Sequence, residues 1–338
     1  HVMFVRNFFF LLLFVFIIIS CNNDKYHPDL LKPKTKNNYG EILFAIDKKY
    51  WKTDLGKVIK NSFEKLEKTT PLPFEKQYNI DFVVPDKILK NLKNNNCFIF
   101  VDVKHYYPSK TIPITKRNLW SRNQIIIELK FNSEESAIHY FKTASNELKS
   151  IVNEFNFQKI ANNWSFSNSL SSELLNQNNL KFKAPRTFKI NATKKDFCWF
   201  SDLEIKKDQN GSHEVQKGIV VYQKPYINQN QFNQNYILKL KDSIGEKYLK
   251  GKKKKSYMIT SKNDISEISD TSIYLNNKYV KLIKGCWRMK NDKMGGPFIS
   301  YSWLNNSNII TVEGYVYAPN FKKLNYLREL EAIIISGI

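Results

Sequence analysis

The sequence predicts an α+β protein: mainly antiparallel sheets with helices packed on one face, in two similar-sized lobes. Apolar runs of strand length recur along the chain, while only a few longer stretches repeat their apolar residues at helical spacing. The elements also arrive as strand, helix, strand, strand, strand, helix, an order that suits helices segregated to one face of an antiparallel sheet. With 338 residues, 42% hydrophobic and 14% aromatic, the chain is long enough for one large domain or two smaller ones.

Residues 41–46 (EILFAI) form the first apolar run, ahead of Asp47 and the pair Tyr50–Trp51. Thr53 is placed to cap a helix with Asp54 in its first turn, and Leu55, Val58, Ile59, Phe63 and Leu66 follow at helical spacing. Pro71 and Pro73 break the chain. Strands are expected at 78–84, 97–103 and 123–131, with a short helix at Pro85 and a turn at Asn94–Asn96. Asn132 and Glu135 have capping-box spacing and open the clearest helix, along which Ala137, Phe141, Ala144, Leu148, Ile151 and Phe155 share a side. After a polar connection at 162–179, strands are expected at 197–205 and 218–223, a helix at 236–249, and strands at 279–289, 297–304 and 309–318. Pro319–Asn320 then caps a closing helix with Phe321, Leu324, Leu327, Leu330 and Ile334 along one side. These elements divide into an N-terminal lobe at 40–190 and a C-terminal lobe at 191–338.

The N-terminus carries an address. Met3 is the expected start, Arg6 gives a positive flank, and Phe8–Ile19 is an unbroken apolar run of secretory-signal length. A transmembrane helix needs roughly 20 apolar residues, so the run is too short to span. Ile18-Ile19-Ser20-Cys21 resembles the bacterial lipobox, which implies a signal peptide at 1–20 and lipid attachment at Cys21. Residues 21–39, polar and broken by Pro28 and Pro33, read as a flexible tether. The expectation is a lipid-anchored cell-envelope protein, on the periplasmic or surface face of the outer membrane, with the membrane as its first partner.

The net charge of +22 suggests nucleic acid, but export argues against it, and the excess is lysine. Arginine, the residue that reads phosphates and bases bidentately, occurs only at positions 6, 117, 122, 186, 288 and 328. Anionic lipid or envelope polymer is the expected partner, with the run Lys252, Lys253, Lys254 and Lys255 as candidate contact, alongside other envelope proteins. Cys97, Cys198 and Cys286 each sit in an apolar run and read as buried free thiols.

Catalytic chemistry finds little support. None of the five histidines has a useful neighbour, no cysteine pair has zinc spacing, and no serine sits in a nucleophile elbow. Gly245–Lys252 has one residue too many between its glycines for a phosphate loop. No catalytic residue, metal ligand or cofactor is therefore assigned. The most distinctive stretch is Gly285–Tyr301, read as a hairpin in which Gly295 and Gly296 take positive φ, with Arg288 and Asp292 on a small polar loop.

Taken together, Gly40-Glu41-Ile42, Pro71-Leu72-Pro73, Asp196-Phe197-Cys198-Trp199, Gly285-Cys286-Trp287, Met294-Gly295-Gly296-Pro297-Phe298 and Tyr315–Pro319 ahead of Leu327-Arg328-Glu329-Leu330-Glu331 resemble a lipoprotein family of Bacteroidetes, domain of unknown function 4837. The resemblance runs from about Gly40 to the end, and implies an envelope address without an activity. The sequence thus favours a non-enzymatic binding or envelope-assembly role. The rival is a hydrolase of envelope polymer or lipid, assembled from Asp292, Glu313 and Asp202.

Overall fold

The computed structural model describes residues 28–36, 39–163, 168–262 and 266–338. Cys21 and the apolar run before it lie outside the described residues, among which no helix is long and apolar enough to cross a membrane.

In the first lobe, β1 (Glu41–Ile46) leads into α1 (Lys48–Trp51) and α2 (Asp54–Phe63). A two-residue ladder of β2 (Leu66–Glu67) and β3 (Glu75–Lys76) precedes β4 (Asn79–Val83), β5 (Cys97–Val103), β6 (Ile114–Arg117) and β7 (Ile125–Phe131). The lobe closes with α3 (Glu134–Thr143) and α4 (Ser145–Asn163). The sheet order is β4-β1-β5-β7-β6. Here the expected antiparallel sheet is corrected: β1 runs parallel to β4 and β5, and β5 to β7, leaving only β6 antiparallel. The α1–α2 crossover carries the chain back before β4 begins, which makes β1 and β4 parallel. Strands covered on both faces read as continuous apolar runs, and Leu43 to Ile46 and Ile125 to Ile127 are buried without alternation. Leu55, Phe63, Phe141 and Phe155 pack on one face, Phe98, Ile126 and Trp120 on the other. The helix cap is also shifted by a residue: Ser133 and Ser136, not Asn132 and Glu135, form the capping box.

The second lobe opens with β8 (Asn168–Ser169), α5 (Glu173–Gln177), β9 (Lys183–Ala184) and β10 (Lys189–Lys194). Leu170, Leu174, Leu175, Phe182 and Phe188 pack in this lobe's core, so the segment assigned on sequence to the first lobe belongs to the second. The long hairpin β11 (Phe197–Asp208) and β12 (Gly211–Pro225) leads to α6 (Gln234–Tyr248), β13 (Tyr257–Thr260), β14 (Ser269–Leu275), β15 (Lys278–Lys290), β16 (Gly295–Asn305), β17 (Asn308–Tyr317) and α7 (Leu324–Ser336). An eight-stranded sheet results, with the path β10-β11-β12-β17-β16-β15-β13 and β14 paired to β15, antiparallel throughout.

Alternation along these strands gives the sheet two buried faces. Leu330, Ile333 and Ile334 of α7 cover one, over Ile219, Ile299 and Val312. Ile237, Leu238 and Ile244 of α6 cover the other, over Val220, Ile283 and Phe298. The first lobe joins on the α7 face. Glu75 accepts from the backbone N–H groups of Lys323 (2.6 Å) and Leu324 (3.2 Å), so a carboxylate of one lobe caps the helix of the other. Arg328 donates to the Gln77 carbonyl, and Lys68 pairs with Glu267 at 2.7 Å. Cys97, Cys198 and Cys286 are buried and unpaired, as expected.

Candidate functional site

On the α6 face the helix covers only part of the sheet. It ends at Tyr248, and the following residues, Leu249 to Lys252, turn away toward β13. Between this turn, the β11–β12 hairpin and the β15–β16 hairpin lies a pocket of about 320 Å³, at the small end of the ligand-site range. Its walls are Trp199, Trp287, Tyr315, Met258, Met289 and Met294. The polar ends of the aromatic walls are already engaged. Trp199 Nε1 donates to the Tyr315 hydroxyl at 3.0 Å, and Trp287 Nε1 donates to the Val316 carbonyl at 3.2 Å. Burial also holds the Tyr315 hydroxyl well above its ordinary pKa, keeping it neutral. What the walls offer a ligand is therefore aromatic face and polarisable thioether, surfaces that adapt to apolar shapes.

The rim is polar: Glu214 and Gln216 from β12, Lys250 and Lys252 from the turn after α6, and Asp292 from the β15–β16 turn. Two stretches singled out separately in the sequence meet here. Lys253 Nζ lies 2.8 Å from Asp292 Oδ1, and Asn291 Nδ2 donates to the Lys255 carbonyl at 3.2 Å. The hydrogen bond from Lys253 lowers the Asp292 pKa. Gly251 keeps the turn tight, since a Cβ there would strike Ser256 Oγ and the Met289 methyl.

The other candidates of that hairpin move. Gly295 and Gly296 lie in β16, and neither has positive φ; the left-handed turn residue is Asn291, at φ 58°. Asparagine tolerates that conformation because its short side chain bonds locally. Gly296 is needed for a different reason: a Cβ would overlap the Val316 carbonyl and crowd the Trp287 indole. Arg288 is not part of the pocket either. Trp287 and Met289 point into it, so the alternation of β15 turns Arg288 to the other face, where it is exposed.

A family model described as a domain of unknown function, DUF4837, matches residues 167–336. The chain belongs to this family. The match takes in the second lobe and not the body from Gly40 onward; residues 36–165 match a separate domain of unknown function, DUF8532. No curated protein matches the chain. The two lobes thus match different family models and differ in sheet topology.

In the DUF4837 lobe the three carboxylates proposed for a hydrolase do not converge. Asp202 sits on the α7 face, 3.1 Å from Lys217, which also pairs with Glu329 at 3.0 Å. Burial alone would lower the pKa of Lys217, but Glu329 and Asp202 together raise it. Glu313 sits on the α6 face, 3.4 Å from Lys241, with both side chains buried. Burial raises the Glu313 carboxyl above its ordinary 4.5 despite Lys241, and its Oε2 has no hydrogen-bond partner. Asp292 is at the pocket rim, tied to Lys253. The buried lysines and the pocket walls escaped sequence reading. One signal was present: of four methionines, all but Met3 fall within 258–294.

Among the described residues no three His, Cys, Asp or Glu side chains are grouped to hold a metal ion.

Proposed function

We propose that this is a non-enzymatic ligand-binding protein of the cell envelope, held to a membrane through lipid on Cys21, with its binding site in the DUF4837 lobe. The observation that carries the binding reading is the pocket lining: aromatic faces and three methionines, with the indole N–H groups satisfied within the wall. Such a lining favours an apolar group and offers no nucleophile or paired carboxylates to attack it. The envelope address is supported by the lipobox-like Ile18-Ile19-Ser20-Cys21 and by the lysine excess, which suits an anionic surface. An assembly role would use the same apolar lining to seat a side chain of a partner.

A neutral naphthylamine dye tests the binding reading. Its fluorescence should rise and saturate with the parent, and should lose most of that rise with Met294→Arg, a half-buried wall position, at unchanged melting temperature. Equal enhancement by both proteins would move the site elsewhere. The address is tested by labelled palmitate in cells: the parent should incorporate it, and incorporation unchanged in Cys21→Ser would refute the anchor.

A further inference from the structure

The pocket has chemically different ends. At one, Lys250 and Lys252 stand on the turn after α6, exposed, and neither is ion-paired with a described residue, whereas the neighbouring Lys253 is taken by Asp292. At the other, the wall continues up β11. Leu203 lies on the same strand face as Trp199, and Ile205 two residues further on; they are 60% and 57% exposed, although both are large apolar side chains. Across the hairpin, Ile205 is paired in register with Glu214, the acidic residue of that side of the rim. A ligand with an acidic group is therefore drawn to Lys250 and Lys252, while its apolar part finds Trp199, the methionines and then Leu203.

We infer that the pocket takes a single-chain anionic amphiphile, with its acidic head at Lys250 and Lys252 and its hydrocarbon chain along Trp199 toward Leu203 and Ile205. The inference rests on the binding reading above and names its ligand class. Both indole N–H groups of the wall are engaged within it, by the Tyr315 hydroxyl and the Val316 carbonyl, so the chain needs no polar group to satisfy them. The head is held by charge at an exposed rim, an interaction that salt screens.

Calorimetric titration of the full chain with decanoate, decanol and decylamine varies the head on one chain. Decanoate should bind about five- to thirtyfold tighter than decanol, the worth of one or two exposed lysines, and decylamine weakest. High salt should close the gap between decanoate and decanol. Lys250→Gln with Lys252→Gln should bring decanoate to the level of decanol without changing decanol, and Leu203→Asn should weaken all three. If the parent binds decanoate and decanol equally, or the double lysine variant keeps the preference, the ligand class is wrong and the apolar pocket stands. If none of the three binds while the naphthylamine dye does, the inference fails alone. If neither dye nor amphiphile binds, both readings fail.

Discussion

The two faces of the eight-stranded sheet bury charge in different ways. On the α7 face, Lys217 is shared between Asp202 and Glu329, and Glu329 keeps some contact with solvent (28% exposed). On the α6 face, Lys241 and Glu313 form a pair with side chains 3% and 2% exposed, and one carboxylate oxygen of Glu313 goes without a partner. The α7 face is closed by a helix and by the first lobe. The α6 face is closed by a helix that stops short and leaves an aromatic pocket. Charge shared near an edge is tolerant of change, whereas a lone buried pair is costly to break, because removing one partner strands the other.

The sharpest break of this comparison is Glu313→Ala. It should cost about 3–5 kcal/mol in urea unfolding, by removing the carboxylate with which the buried Lys241 ammonium is paired. Glu329→Ala on the opposite face should cost less than about 1 kcal/mol, because Asp202 still faces Lys217. Equal costs would mean that burial does not separate the two faces.

Next in size is Gly296→Val, expected to cost about 2–3 kcal/mol through overlap with the Val316 carbonyl and the Trp287 wall. Gly295→Val should cost less, since a Cβ there approaches only the Trp287 carbonyl, at 2.9 Å.

A pH series sharpens the same contrast more gently. Burial raises the folded pKa of Glu313 above 4.5, so the folded state holds that proton more tightly than the unfolded chain. The stability this contributes is full below pH 4.5 and is lost as pH rises through the raised value. The stability of the parent relative to Glu313→Gln should therefore fall as pH rises above 4.5, and a flat difference would show that the carboxyl is not raised. At the small end, Asp292→Ala should leave the melting curve unchanged, because its ion pair with Lys253 lies at an exposed rim.

Much of this architecture was legible in the sequence. Helix α6, the strands β11, β12, β15, β16 and β17 and the buried state of Cys97, Cys198 and Cys286 follow from apolar spacing alone. The direction of the first sheet was not, because an order of elements does not reveal which sheet edge a crossover returns to. β6 and β14 carry little apolar signal, with residues 114–117 all exposed, and went unread. The role of Gly296 was misjudged for a physical reason: a glycine required by a neighbouring strand's carbonyl looks in sequence like one required by a turn. The pocket was half legible. The lysine run and Asp292 stood out separately, but their contact through Lys253 spans β13 and β15, and only the folded sheet brings them together.

The most direct test of the account uses methionine as a built-in reporter. Apart from Met3, every methionine of the chain lines the pocket, so the spectrum of methyl-labelled methionine reads that site. Addition of decanol should shift the methyl resonances of Met258, Met289 and Met294 saturably, while the indole resonance of Trp303, buried on the α7 face, stays in place. Methionine signals that remain fixed while Trp303 or the first lobe responds would contradict the assignment of the site to the α6 face.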